Sequence, residues 1–200
     1  KPWDPKSYWT YDASWAQASN TPFRLYKQNQ HEGGISSPLI VHWPEGLKTK
    51  PGSITRQPGH LIDFMATFIE LSGAKYPKQV GTRAIDPLEG KSLLPIFQGE
   101  ERDGHENLYF HFGTDRALRQ GQWKLVSAKG GKWELYDLEK DRTELNDLSA
   151  KYSDRVKEMS KIWFDIAKNK DRLIKKGLWP VKGQLKKISF RKDTSGQLKE

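Results

Sequence analysis

Three glycine-punctuated stretches between residues 107 and 138 constrain this chain most: LYFHF, DRALRQGQWKLVSA and GGKWELYDL. Each alternates apolar and polar residues, the period-two pattern of a strand. Glycines separate them, and Gly130-Gly131 beyond Leu125 reads as a hairpin turn. The expectation is about four short antiparallel strands with one buried face. His111, between two Phe residues of the first strand, fits a packing role better than a ligand's.

Helical periods lie on both sides of this region. In GHLIDFMATFIELSG, Leu61, Ile62, Met65, Phe68, Ile69 and Leu71 recur near helical spacing and Gly73 closes the pattern, which predicts a helix over 60–72. His60 and Asp63 at its start are catalytic residue types. An acid in the first turn is also what the helix dipole favours, and that structural reading is preferred. LYDLEKDRTELNDLSAKY leaves the sheet for a second helix with the stripe Tyr152, Val156, Met159, Trp163 and Ile166. Upstream, Leu39-Ile40-Val41 after Pro38 predicts a short buried strand over 38–43. The fold class is α+β, a small antiparallel sheet packed against a C-terminal amphipathic helix.

Composition excludes several classes of function. The chain has 0 Cys, which rules out disulfides, zinc–thiolate sites and a Cys nucleophile. No apolar run approaches the ~18 residues of a membrane span. The net charge of +9 is local, because residues 168–200 hold 11 Lys/Arg against 3 Asp/Glu. A basic tail on a nearly neutral body argues against a nucleic-acid groove, and no nucleic-acid partner is expected. Leu185, Ile188 and Phe190 in that tail are compatible with one more strand. The chain opens KPWDPKSYWTYD, with no Met and no signal-peptide pattern, so the expectation is a mature chain or one cut from a longer one.

Chemistry concentrates in Asn20–Pro44, NTPFRLYKQNQHEGGISSPLIVHWP. Lys27, His31 and Glu32 fall within six residues and precede Gly33-Gly34, where the backbone can turn sharply or approach a ligand closely. The set suits anion binding. The same residue types also occur in ordinary surface turns, so type and spacing leave both readings open.

The wording of this stretch resembles the formylglycine-dependent sulfatases, especially bacterial arylsulfatases. LIDFMATFIELSGAKYP, GKSLLPIFQGE and the phrase before the last helix resemble the same family, and the match covers roughly residues 13–167. A lysine five residues before the Glu-Gly-Gly element contacts the substrate's sulfate in that family, which implies that Lys27 binds sulfate and steadies the leaving group. His31 stands where the family often carries Tyr or His, which implies a place in the substrate pocket. The family's nucleophile signature, Cys/Ser-x-Pro/Ala-x-Arg, is absent, and no Asp-Asn pair precedes Lys27. The acidic cluster Asp137, Glu139, Asp141, Glu144 and Asp147 lacks the pattern of a calcium loop. Ser92 follows Gly-Lys but lacks the rest of a phosphate-binding loop.

The resemblance therefore implies the C-terminal portion of a sulfatase. Residues 1–100 would be a strand–helix remnant of the large α/β domain, 101–170 a small C-terminal α+β domain, and 171–200 a basic tail. No metal or cofactor is expected in the portion itself. Calcium and formylglycine would belong to the full-length parent, with a sulfate ester and the missing N-terminal half as partners. A periplasmic or secreted location is implied too. The alternative is a non-catalytic module that binds acidic or sulfated polysaccharide through Trp3, Tyr8, Trp9, Tyr11, Trp15 and the basic tail.

Overall fold

A computed structural model describes residues 12–171. Trp3, Tyr8, Trp9, Tyr11 and most of the basic tail, the residues proposed to hold a polysaccharide, lie outside that range. Two compact units divide the chain, residues 1–160 and 161–200. In chain order the elements are α1 (Ala13–Ser19), α2 (Glu32–Ile35), α3 (Asp63–Ser72), β1 (Gln79–Val80), β2 (Arg83–Ala84), α4 (Leu94–Phe97), β3 (Leu108–Phe112), β4 (Asp115–Gln120), β5 (Trp123–Ser127), β6 (Glu134–Asp137) and α5 (Ser153–Lys170).

Strands β3 to β6 form an antiparallel sheet in sequence order. Phe112 pairs with Asp115 and Gln120 with Trp123, so β3–β4 and β4–β5 are joined by two-residue loops. Gly113 (φ 57°) and Gly121 (φ 54°) take the first loop position. A left-handed residue there matches the strand twist, and glycine adopts it without a Cβ clash. The meander follows directly from these two glycines and the alternation around them.

The expectation of one buried face is corrected. In β5, Lys124, Leu125, Val126 and Ser127 are all fully buried, so both faces of the sheet are covered at its centre. One face carries Ala117, Val126 and Tyr136, which cluster with Leu138 and Phe110. Leu118, Leu125 and Leu135 lie on the other. There Trp123 meets the Tyr152 ring at 5.2 Å, and the Arg155 guanidinium lies 4.7 Å above the Trp123 ring. The entry to α5 thus rests on this second face. Of the expected stripe, Met159 and Trp163 are buried, Val156 and Ile166 are half-buried and Tyr152 is exposed, while Ala167 is buried in addition.

The predicted strand over 38–43 does not form, and residues 36–62 hold neither helix nor strand. Among the described residues no backbone N–H of 38–43 reaches a backbone carbonyl. A β-branched run extends the chain, but a strand needs a neighbour to complete its ladder. Ile40 is 89% exposed, and Leu39 and Trp43 are exposed as well.

Helix α3 begins at Asp63, three residues later than expected. The turn before it is closed by Asp63 N–H donating to the His60 carbonyl (2.9 Å) and by His60 N–H donating to Asp63 Oδ2 (2.8 Å). Its burial is the reverse of its hydropathy. Leu61, Ile62, Met65, Phe68 and Leu71 are exposed, whereas Asp63, Ala66 and Thr67 are buried. Asp63 ties the helix to the connector that follows. Its carboxylate accepts from Lys91 N–H (2.9 Å) and Arg102 Nη2 (2.9 Å), and it meets His105 Nε2 at 2.6 Å. Burial alone would raise its pKa, but these donors hold it below the usual carboxylate range. Thr67 donates to the Asp63 carbonyl (2.7 Å) and accepts from Leu93 N–H (2.8 Å).

The two sides of α3 should therefore respond oppositely to mutation. Asp63→Ala strands a buried guanidinium and should cost about 3–5 kcal/mol. Phe68→Ser, on the open side, should stay within about 0.5 kcal/mol. Urea unfolding followed by tryptophan fluorescence measures both, and the reverse order would show that the apolar side is the packed one.

Candidate functional site

Lys27 sits at the tip of a compact loop running from Arg24 to Ile35. Its side chain is exposed, and among the described residues no carboxylate pairs with its ammonium. Leu25 (φ 65°) and Gln28 (φ 78°) flank it in left-handed conformations. Such residues persist only where the surroundings hold them, and they concentrate at functional sites. Here Leu25 N–H donates to Gln17 Oε1 (3.0 Å), Asn20 Nδ2 donates to the Leu25 carbonyl (3.1 Å) and Asn29 Nδ2 donates to the Tyr26 carbonyl (2.9 Å).

The glycine pair serves loop closure. Gly33 N–H donates to the Arg24 carbonyl (3.1 Å), and a Cβ at Gly33 would collide with the carbonyls of Arg24 and Leu25. A Cβ at Gly34 would strike the carbonyl of Asn29. Both glycines are needed because the loop folds back onto its own backbone.

Beneath the loop lies a polar cluster on the Val126–Tyr136 face of the sheet. Lys124 of β5 is fully buried, and its Nζ is 2.9 Å from Glu32 Oε1 and 2.8 Å from Glu144 Oε1. Glu144, also fully buried, accepts Glu32 N–H on its Oε2 (2.7 Å). Its backbone carbonyl accepts Arg24 Nη1 (2.6 Å). Arg24 Nη1 also donates to Tyr136 Oη (2.9 Å), which donates to Glu134 Oε2 (2.6 Å). His31 Nε2 meets that same carboxylate oxygen at 3.0 Å.

Electrostatics follow from this geometry. His31 and Tyr136 at its carboxylate hold the Glu134 pKa down to about 2, against 4.5 unperturbed. Burial and then the Glu134 acceptor push the Tyr136 hydroxyl above its ordinary range, so it remains a donor. For Glu32, burial works to raise the pKa and is outweighed by the Lys124 ammonium, leaving it below the usual value.

The two site residues expected from sequence are thus placed differently. Lys27 faces solvent, while His31 is 1% exposed and supports the loop through Glu134. Arg24, Lys124, Glu134, Tyr136 and Glu144 were not singled out as a site. The only sequence signal was Lys124, a charge in the middle of a strand flanked by Trp123 and Leu125. Glu144 belongs to the acidic phrase, which is structural: Asp141 accepts Leu145 N–H (2.9 Å) and Asn146 N–H (2.7 Å), and Asp147 accepts Leu135 N–H (3.0 Å). Among the described residues no three His, Cys, Asp or Glu side chains converge as a metal site.

Comparison with known proteins gives the family and the fold. Residues 23–172 match the family described as N-sulphoglucosamine sulphohydrolase, C-terminal. Mus musculus steryl-sulfatase is 36% identical over 110 residues, covering 55% of this chain and 16% of that protein. A Formosa agariphila sulfatase is 36% identical over 96 residues, covering 47% of this chain and 16% of its own length. The chain thus spans about a sixth of the curated relatives it matches. The crystal structure of Ps i-CgsB superposes with a TM-score of 0.59 at 26% identity, over 72% of this chain and 32% of that one.

The lowered Glu134 pKa has a definite sign. A carboxylate at 4.5 when unfolded and about 2 when folded stabilises the fold fully above pH 4.5, and that contribution disappears as pH falls toward 2. Glu134→Gln should flatten the acid limb of the stability curve between these values. Chemical denaturation at a series of pH values reads this out, and an unchanged acid limb would show that Glu134 is not held by His31 and Tyr136.

Proposed function

This chain belongs to the N-sulphoglucosamine sulphohydrolase C-terminal family, and from that premise we propose that it is the part of a sulfate-ester hydrolase that brings Lys27 to the substrate's sulfate group. The observation that carries the proposal is the placement of Lys27, exposed on a loop tied to the sheet through Arg24–Tyr136 and Glu32–Lys124. The offset from Lys27 to the Glu-Gly-Gly element supports it further.

A lysine suits this task. Its ammonium is a compact charge that attracts a sulfate oxygen in the bound ester. As the ester bond breaks, negative charge grows on the leaving oxygen, and a fixed ammonium nearby stabilises that state more than the ground state. The flanking left-handed residues and the bonds to Gln17, Asn20 and Asn29 hold the lysine backbone, so little ordering is left for the moment of binding.

The nucleophile lies elsewhere in the parent on this reading. The chain contains 0 Cys and no serine in the family's signature. Formylglycine and calcium are accordingly assigned to the rest of the parent, because the described residues do not fit a metal site. This chain alone should be catalytically inert. The exposed side of α3 and the uncovered Leu39, Ile40 and Trp43 are where the parent's preceding portion would pack, since so much apolar surface rarely stays open. A periplasmic or secreted location goes with the same reading, and cell fractionation that finds the parent in the cytosol would contradict it.

Two assays bear on the proposal. The isolated chain with calcium and a chromogenic aryl sulfate should show no turnover above buffer, and clear turnover would place a nucleophile within these residues. In the full-length parent, Lys27→Ala should lower kcat/KM by about 10²–10³. An unchanged kcat/KM would remove Lys27 from the site.

A further inference from the structure

We propose that Glu144 is the positioning residue of the Lys27 loop, and that it acts by clasping both ends of the loop. The inference rests on the reading of Lys27 as the sulfate ligand and extends it to a residue that touches no substrate.

Three groups of Glu144 are engaged at once. Its backbone carbonyl takes Arg24 Nη1 (2.6 Å), at the start of the loop. Its Oε2 takes Glu32 N–H (2.7 Å), at the loop's end. Its Oε1 lies 2.8 Å from Lys124 Nζ, which fixes the carboxylate to the central strand. The seven residues between Arg24 and Glu32 are therefore bridged by one side chain and its own backbone. Lys27 is carried on the span between the two grips.

Glu144 is also fully buried and has φ 56°. A left-handed glutamate without access to solvent is an unusual choice, since glycine would adopt that φ at lower cost. Backbone preference does not account for it, whereas its bonds do. Its two oxygens face different groups: Oε2 accepts from Glu32 N–H, and Oε1 lies at ion-pair distance from the Lys124 ammonium. A glutamine would turn an NH₂ group toward one of these donors.

The test uses the full 200-residue chain. Amide hydrogen exchange at Glu32 and Gly33 reports closure of the loop, and exchange at Leu118 and Leu125 reports the sheet. The Lys27 Cε resonance, titrated with inorganic sulfate, reports the anion site. In Glu144→Gln, exchange at Glu32 and Gly33 should rise by at least about tenfold, because a buried ion pair has lost one partner. Leu118 and Leu125 should not change, and the Lys27 response to sulfate should weaken. Glu144→Gly, which suits the backbone better, should be as damaging. Arg24→Lys, at the more exposed grip, should give a milder version of the same pattern even where the Glu144 variants fold poorly.

Unchanged exchange at Glu32 and Gly33 would overturn the proposal, as would an equal rise throughout the sheet. A neutral Glu144→Gly would overturn it too, by reducing Glu144 to a backbone requirement. If the unaltered chain shows no Lys27 response to sulfate, the sulfate reading itself fails, a result distinct from any exchange outcome.

Discussion

A single buried ammonium organises the packing of the 24–35 loop on the sheet. Lys124 lies in the interior of the sheet between the carboxylates of Glu32 and Glu144. A buried lysine is costly unless its charge is met, and two carboxylates meet it here. Because those two residues come from different segments, meeting the charge also pins those segments to β5. The ends of the 24–35 loop and the turn after β6 are fixed by one local neutralisation. Apolar packing of Val126, Tyr136 and Leu138 fills the space around it but does not choose the loop's register.

A second buried charge plays the corresponding part near α3. Asp63 joins that helix to the connector through Lys91, Arg102 and His105. In both places a polar residue is inside while apolar residues of the same segment stay out. That inversion has a physical reading. Charged groups hold the described residues to one another, while apolar side chains of the same segments stay exposed.

The parts of the fold legible in the sequence were those fixed by local rules. The glycine-punctuated alternation between 107 and 138 marked the four antiparallel strands, and the spacing of Met159 and Trp163 marked the helix stripe. Local rules failed where the outcome depended on a distant partner. Leu39-Ile40-Val41 has the propensity of a strand, but propensity does not supply a neighbouring strand. The periodicity of α3 revealed an apolar side without saying whether anything covers it. Lys124 meets Glu32 across 92 positions, and Glu144 meets Glu32 N–H across 112. No spacing pattern reaches that far. Lys27 is proposed from family wording alone, because an exposed lysine in a turn carries no signal of its own. His31 shows the limit of that route, since matching a family position did not reveal that its ring is turned inward onto Glu134.

The most direct measurement is a crystal structure of the longer protein that contains this chain, with a sulfate ester bound. The account predicts Lys27 Nζ about 3 Å from a sulfate oxygen, a charge-assisted hydrogen-bond distance, with Glu144 still bridging Arg24 and Glu32. A bound ester whose sulfate lies away from Lys27, with that ammonium free in solvent, would contradict it.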